Sequence, residues 1–382
     1  MWMLTDEQQM IVDSADKMLA ADHTFDQRKA RVASGLPVDP ELWRQFAELG
    51  WLGLPFGEDD GGFGAGVAEL ALLARELGRH LVVEPFAETV VTAGEIVSSG
   101  AAAALRAELI SSIMEGRKQI AVALAEPDSR YELQRVATTA RSTGNEFVLN
   151  GRKSVVTNAP GADLVIVPAR TLGEVADEGG ITLFCVPTSA DGVTVKGYRL
   201  NDDHHAGDVT LKDVVVSNTH VLGEVGGGLD LLERAVDKVT ICSCAEAVGA
   251  MEQIMDLTAE YLKTRVQFGK PISTNQALKF IMVELYYLLE ESRSLVVGAV
   301  GAFAGDPAGR RAAVSAMKVK VGTAARKLGQ EGVQLHGAIG MTEDYSVGHY
   351  YKRLETLRIL YGDPDYHLAR FGRWSQMRNA AS

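Results

Sequence analysis

The alternation of polar and apolar positions changes period twice along the chain. After Thr5, a good N-cap, the apolar residues Met10, Ile11, Ala15, Met18 and Leu19 recur at helical spacing. Residues 40–49, 68–81 and 85–98 repeat that pattern. The Gly-rich, acidic stretch 57–66 reads as a flexible loop. From about residue 118 the period becomes two, with short β-branched runs at 119–125, 146–149, 152–157, 163–169, 181–186 and 208–215. Asn150-Gly151, between two of these runs, predicts a tight hairpin. Strands at this spacing, with no long helices between them, predict an antiparallel β-barrel or sandwich. Gly226-Gly227-Gly228 reads as a flexible joint, since no G-x-G-x-x-G or G-K-[ST] register accompanies it. Helical spacing then returns at 229–264, 273–304, 306–336 and 345–360, and long helices with short connections favour an up-down bundle. The expectation is an α+β multidomain chain: a helical domain over residues 1–117, a β-domain over 118–225 and a four-helix bundle over 226–382.

Composition narrows the function classes. With 382 residues, 46% of them hydrophobic, the chain can bury a large core. A formal charge of −12 argues against a nucleic-acid groove. The N-terminus is an acidic amphipathic helix rather than a signal peptide, and no run reaches the roughly 20 apolar residues of a membrane span. Cys185, Cys242 and Cys244 are too few for a disulfide framework and read as core thiols, with no metal site expected. A reducing cytoplasm fits such usage.

Three segments carry candidate chemistry. The first joins Ala125-Glu126-Pro127 to Asn150-Gly151-Arg152-Lys153-Ser154-Val155-Val156-Thr157-Asn158. The second is Arg265-Val266-Gln267-Phe268-Gly269-Lys270-Pro271-Ile272, with Gln276 beyond it. The third is Val333-Gln334-Leu335-His336-Gly337-Ala338-Ile339-Gly340. In this order, on an α–β–α layout, they resemble the acyl-CoA dehydrogenase family over essentially the whole chain. The resemblance implies a homo- or hetero-oligomer binding FAD between the β-domain and the bundle, with part of the cofactor at a subunit boundary. It implies oxidation of an acyl-CoA to its trans-2-enoyl-CoA: a carboxylate takes the α-proton, the β-hydride goes to flavin N5, and electrons pass to an electron-transferring flavoprotein.

Residue by residue, the resemblance assigns Thr157 to the hydroxyl beside the flavin; a β-branched strand residue is the plainer reading. Leu124 and Ala125 fall in the flavin-facing segment, where Ala125 replaces the usual Thr and leaves only backbone for that contact. Val155 stands where a Trp shields the flavin face. Arg265 and Phe268 match the R-x-x-F-G pair that meets the FAD of a neighbouring subunit, a guanidinium being suited to pyrophosphate. Arg265 also reads as a solvated cation at a helix end. Gln276, Gln334, Gly337 and Ala338 match cofactor-facing positions, with Ala338 in place of a second glycine. His336 reads as a turn residue, and Arg130, in a loop unlike the family's, as an exposed charge.

The family's catalytic glutamate maps to Tyr361. Tyrosine, with a reference pKa of about 10, would cost roughly 4 kcal/mol to ionise at neutral pH. The alternative family position maps to Val239 or Thr240, neither of them a base. Two carboxylates remain. Asp363 lies in the same loop and also reads as the cap of a helix begun by Pro364. Glu246 lies on roughly the same helical face as Val239, where burial raises a carboxyl's pKa; it also reads as a salt-bridged core residue. The ending from Tyr361 to Phe371 resembles the small-subunit, pimeloyl-CoA dehydrogenase-like branch, in which a paired chain can supply the glutamate. Three readings stay open: a dehydrogenase using Asp363 or Glu246, a catalytically weak FAD-binding subunit of a heteromer, and a related flavin oxidase or monooxygenase on the same fold.

Overall fold

A computed structural model describes residues 4–381, with side chains through residue 375. The helices of the first third are α1 (Asp6–Asp22), α2 (Phe25–Ser34), α3 (Pro40–Glu48), α4 (Val67–Arg79), α5 (Gly94–Gly100) and α6 (Ala103–Met114). A π-helical stretch, Ala87–Ala93, runs into α5. The strands are β1 (Ile120–Val122), β2 (Thr139–Ser142), β3 (Glu146–Thr157), β4 (Leu164–Arg170), β5 (Ile181–Pro187), β6 (Val193–Arg199), β7 (His205–Ser217) and β8 (Val221–Leu222). The long helix α7 (Gly228–Thr264) and a small hairpin of β9 (Val266–Gln267) and β10 (Lys270–Pro271) follow. Helices α8 (Gln276–Ala302), α9 (Pro307–His336), α10 (Ser346–Ile359) and α11 (Pro364–Ala381) complete the chain. The α–β–α order is the predicted one. By packing, the chain forms two compact units: Met1–Ala33, Val67–Val82 and Thr240–Ser382 make one, Ser34–Gly66 and Val83–Val239 the other.

The first unit is helical. Thr5 caps α1 through a capping box with Gln8, as its position promised. In the bundle, α9 packs against α8, α10 and α11. Two glycines set how closely α4 and α7 approach. A Cβ on Gly78 would lie 2.1 Å from Glu246 O, and one on Gly249 would lie 1.9 Å from Arg75 O. Buried Glu252 ties the same helices to α8 by pairing with Arg75, Arg79 and Arg293.

The second unit carries an eight-stranded sheet in the order β6-β7-β3-β2-β4-β5-β8, with β1 parallel to β4. Its inward residues, among them Phe147, Leu149, Val165, Val167, Phe184, Val186 and Val209, form one core. The sequence predicts a hairpin at Asn150-Gly151, but β3 runs straight through it from Glu146 to Thr157. The two residues mark a register shift against β7 instead. Gly151 is required by crowding, because a Cβ there would lie 2.4 Å from Thr138 Oγ1. Asn150 exchanges two hydrogen bonds with Asp213, through its side chain, at 3.0 and 2.9 Å. The expected flexible joint at Gly226-Gly227-Gly228 is likewise a packed segment. Gly226 N donates to Thr182 Oγ1 at 2.8 Å, Gly227 bridges Ile181, and a Cβ on Gly228 would lie 2.9 Å from Leu183 Cγ. The acidic loop 57–66 is folded back by bonds from Gly64 N to Phe56 O and Ala65 N to Leu54 O.

Candidate functional site

In the sheet-bearing unit, the Leu124–Ala125 and Val155–Thr157 segments are brought together. Ser154 N donates to Ala125 O at 2.9 Å. At the adjoining residue of each segment, Lys153 Nζ lies 2.7 Å from Glu126 Oε1. Glu126 also accepts from Ala137 N at 2.7 Å and Thr138 N at 3.0 Å. Burial opposes the charge on Glu126, but Lys153 and these donors outweigh it and hold the carboxyl below its ordinary range. The pair is a staple between the two segments. Sequence reasoning quoted both residues without seeing it; the signal is a lysine at an inward position of a β-run. At this edge Leu124, Ala125 and Thr157 are half-buried, and Val155 is 50% exposed. Neither the Ala125 N–H nor the Thr157 hydroxyl bonds to any described residue. Two donors are therefore available to a ligand, one of them the backbone group that the loss of Thr at 125 leaves.

In the helical unit, α7 ends at Thr264 and the β9–β10 hairpin projects Phe268, which is 99% exposed with φ 51°. The Arg265 guanidinium forms no ion pair or hydrogen bond among the described residues. Behind the hairpin, a cavity of about 280 Å³ is lined by Ala259, Leu262, Lys263, Ser273, Leu278, Lys279 and Met282. Gln276, at the start of α8, is exposed. At the C-terminal end of α9, Gly337 caps the helix with φ 66° and open space beside its Cα. Gln334 and Ala338 flank that turn and are exposed. His336 is buried, stacked on Tyr261 of α7 at 4.6 Å with Nδ1 2.7 Å from Gly332 O, so it orders the turn as expected rather than exchanging protons. A free guanidinium, two exposed amides and an open glycine turn are the donors that an anionic, phosphate-bearing ligand takes.

The loop joining α10 to α11 turns through left-handed backbone, with Tyr361 at φ 60° and Gly362 at φ 113°. Three anchors hold it. Buried Lys318 donates to Leu357 O at 2.6 Å, and His367 Nε2 lies 3.0 Å from Tyr361 O. Asp363 Oδ1 accepts from Tyr366 N at 2.8 Å, which is the helix cap the sequence allowed. Burial, then Lys318, push the His367 imidazole down to about 3, so it is neutral. Glu246 is 7% exposed, and Arg353 Nε lies 2.6 Å from its Oε1. Of the two readings of Glu246, base or salt-bridged core residue, the contact is that of the second.

Among the described residues, Asp16, Glu76 and His80 bring metal-ligand atoms within 4.8 Å of one another. Arg75 Nη1 stands 3.1 Å from Glu76 Oε1 and Arg79 Nε 3.8 Å from Oε2, cations that compete with any metal ion. No described helix is long and apolar enough to cross a membrane.

Three family models cover nearly the whole chain. They describe the N-terminal, middle and C-terminal domains of acyl-CoA dehydrogenase, and match residues 5–117, 121–214 and 226–376. The probable acyl-CoA dehydrogenase YngJ of Bacillus subtilis is 28% identical over 378 residues, 93% of this chain and 94% of that protein. Butyryl-CoA dehydrogenase from Megasphaera elsdenii has the same fold, with a TM-score of 0.90 and 27% identity over 98% of this chain and 99% of that one. A chain of the ChsE4-ChsE5 complex from Mycobacterium tuberculosis matches with a TM-score of 0.88 and 26% identity over 97% of each. Matched in all three parts and in fold, the chain belongs to the acyl-CoA dehydrogenase family, a family of FAD-binding oxidoreductases.

Proposed function

We propose that this chain is an FAD-binding subunit of a heteromeric acyl-CoA dehydrogenase, in which another chain supplies the carboxylate that removes the α-proton. The observation that carries this reading is the α10–α11 loop. The backbone turns left-handed at the position that maps to the family's base, and the residue there is Tyr361. The two nearest candidate carboxylates are engaged elsewhere, Glu246 with Arg353 and Asp363 as a helix cap. The two-protein ChsE4-ChsE5 complex, similar at 26% identity, supports it.

The donor set fits FAD. When bound, the flavin accepts the β-hydride of an acyl-CoA thioester on its way to the trans-2-enoyl product. The free Ala125 N–H and Thr157 hydroxyl serve as donors to the ring edge, with Leu124 beside them and Val155 over its face. Arg265, Gln276, Gln334 and the Gly337–Ala338 turn bind pyrophosphate of the cofactor held by a neighbouring chain, and Phe268 packs on its adenosine. A phenyl ring 99% exposed is understandable if a second chain covers it. Phe280, Val283, Tyr286 and Tyr287 on α8 are further large apolar side chains left exposed. An electron-transferring flavoprotein is the acceptor, and three buried free thiols suit a reducing cytoplasm.

A second reading, with Asp363 as the chain's own base, is favoured by one detail: its other oxygen, Oδ2, bonds to no described group. Purification of the chain alone and together with a second dehydrogenase chain separates the two. A flavin spectrum and anaerobic acyl-CoA bleaching that appear only in the co-purified pair support the subunit reading. Bleaching by the lone chain, abolished by Asp363→Asn, sinks it.

A further inference from the structure

Opposite Asp208 the strands β3 and β7 fall out of step. Lys153 pairs with Val209 and Val156 with Gly207, so Ser154 and Val155 together face the single residue Asp208. This is a β-bulge, which bends a strand and re-aims the side chains beyond it. Val155 takes φ 51°, a left-handed backbone that β-branched residues avoid. The bulge frees its N–H from the ladder, and Asp208 Oδ1 accepts it at 3.3 Å. The same carboxylate takes Arg152 Nη2 at 2.7 Å and the Tyr198 hydroxyl at 3.1 Å. On the other flank Ser154 N is bonded to Ala125 O at 2.9 Å. The distorted residues thus sit between a carboxylate and the Leu124–Ala125 segment.

We propose that Asp208 is a positioning residue for the cofactor. By accepting the N–H that the bulge frees, it holds Val155 left-handed, keeps the Val155 side chain exposed and fixes the aim of Thr157 two residues on. The proposal rests on the reading that Leu124–Ala125 and Val155–Thr157 meet FAD. Strained backbone persists only where its surroundings over-determine it. Asp208 supplies that constraint from β7, a strand that holds none of the flavin-facing residues.

The test uses the full chain in the assembly in which it purifies, as Asp208→Ala, Val155→Gly and the double variant. Of the three contacts that Asp208→Ala removes, loss of the one to the Val155 N–H should weaken FAD binding about tenfold and shift the flavin absorption band. Glycine adopts positive φ without strain, so Asp208→Ala should cost little on the Val155→Gly background. A role confined to strand stability predicts the same loss on both backgrounds, and that result overturns the proposal, as does unchanged affinity and spectrum in Asp208→Ala. If the wild type takes no FAD, the cofactor reading fails instead. The clamp is then judged by amide exchange over residues 152–158, where faster exchange in Asp208→Ala supports it and unchanged protection overturns it.

Discussion

Replacing Arg353 by Met removes the guanidinium whose Nε lies 2.6 Å from Glu246 Oε1. Both residues are 7% exposed, so neither charge is rescued by solvent. Two unit charges about 4 Å apart at an effective dielectric of about 20 attract by about 4 kcal/mol. Breaking one side of a buried pair costs about 3–5 kcal/mol, because the remaining charge stays desolvated. That is the loss expected for Arg353→Met, read as the shift in urea midpoint at constant slope. The double variant Glu246→Leu/Arg353→Met should recover most of it, since the desolvation penalty disappears with the pair. Glu246→Gln should leave acyl-CoA bleaching of the assembled enzyme unchanged. Two results would refute this reasoning. A loss below about 1 kcal/mol in Arg353→Met, the scale of an exposed pair, would mean that the charges are not buried together. Abolished bleaching in folded Glu246→Gln would make that carboxylate the base.

Lys153→Met and Glu126→Gln should each leave the other charge buried without its counterpart, at a cost of about 3–5 kcal/mol; small losses in urea unfolding would dismiss the staple. Gly249→Ala drives a Cβ to 1.9 Å from Arg75 O and should yield insoluble or strongly destabilised protein. Gly372→Ala on α11, with nothing within 4 Å, should gain up to about 1 kcal/mol of stability, and a measured loss there would contradict the open environment. His23 and His367 are lowered to about 3, chiefly by burial, from an unfolded value of 6.5. The unfolded chain therefore binds more protons between these values, and stability present above about pH 6.5 should be lost as the pH falls toward 3. Glu76, raised to about 7 by burial, acts in the opposite sense, its contribution being complete below 4.5 and lost as the pH rises through 7. His367→Gln should flatten the acid limb of a stability–pH curve, and an unaltered slope counts against the buried neutral imidazole. Tyr361→Glu, in a loop already shaped for it, should confer bleaching on FAD-loaded protein whose partner base has been removed; a folded, flavin-bound variant without bleaching would show that the loop does not face substrate.

Much of the architecture was legible because it rests on local signals. Thr5 announces a helix, and α9 begins at Pro307 beside its cap Asp306, where helical spacing over 306–336 places its start. What misled were residues whose reason is tertiary. Asn150-Gly151 has hairpin chemistry, but its glycine answers to Thr138 across the sheet, and its asparagine pairs with Asp213. Gly226-Gly227-Gly228 is indistinguishable in sequence from a loose joint, yet packing against Ile181 and Leu183 demands it. Strand β6 lies outside the expected β-runs because its alternation is confined to Val193-Thr194-Val195-Lys196, the rest being exposed through Arg199.

The candidate site divides along the same line. Thr157, Arg265, Gln334 and Gly337 could be singled out because ordered motifs carry them, and the structure leaves each with a free donor or open space. Residues that anchor backbone from far along the chain could not, since Asp208 reaches the Val155 N–H and Lys318 reaches Leu357 O only in the folded protein. Lys318 and His367 make the base loop intelligible. They fix Leu357 O and Tyr361 O, and Asp363 caps the helix beyond, so backbone contacts hold the left-handed turn at Tyr361. On the proposed reading, a turn held by three anchors at the position that maps to the family's base, with a tyrosine on it, leaves proton abstraction to another chain. That combination is what a subunit needs if it must still match, surface for surface, a partner chain that performs the proton abstraction.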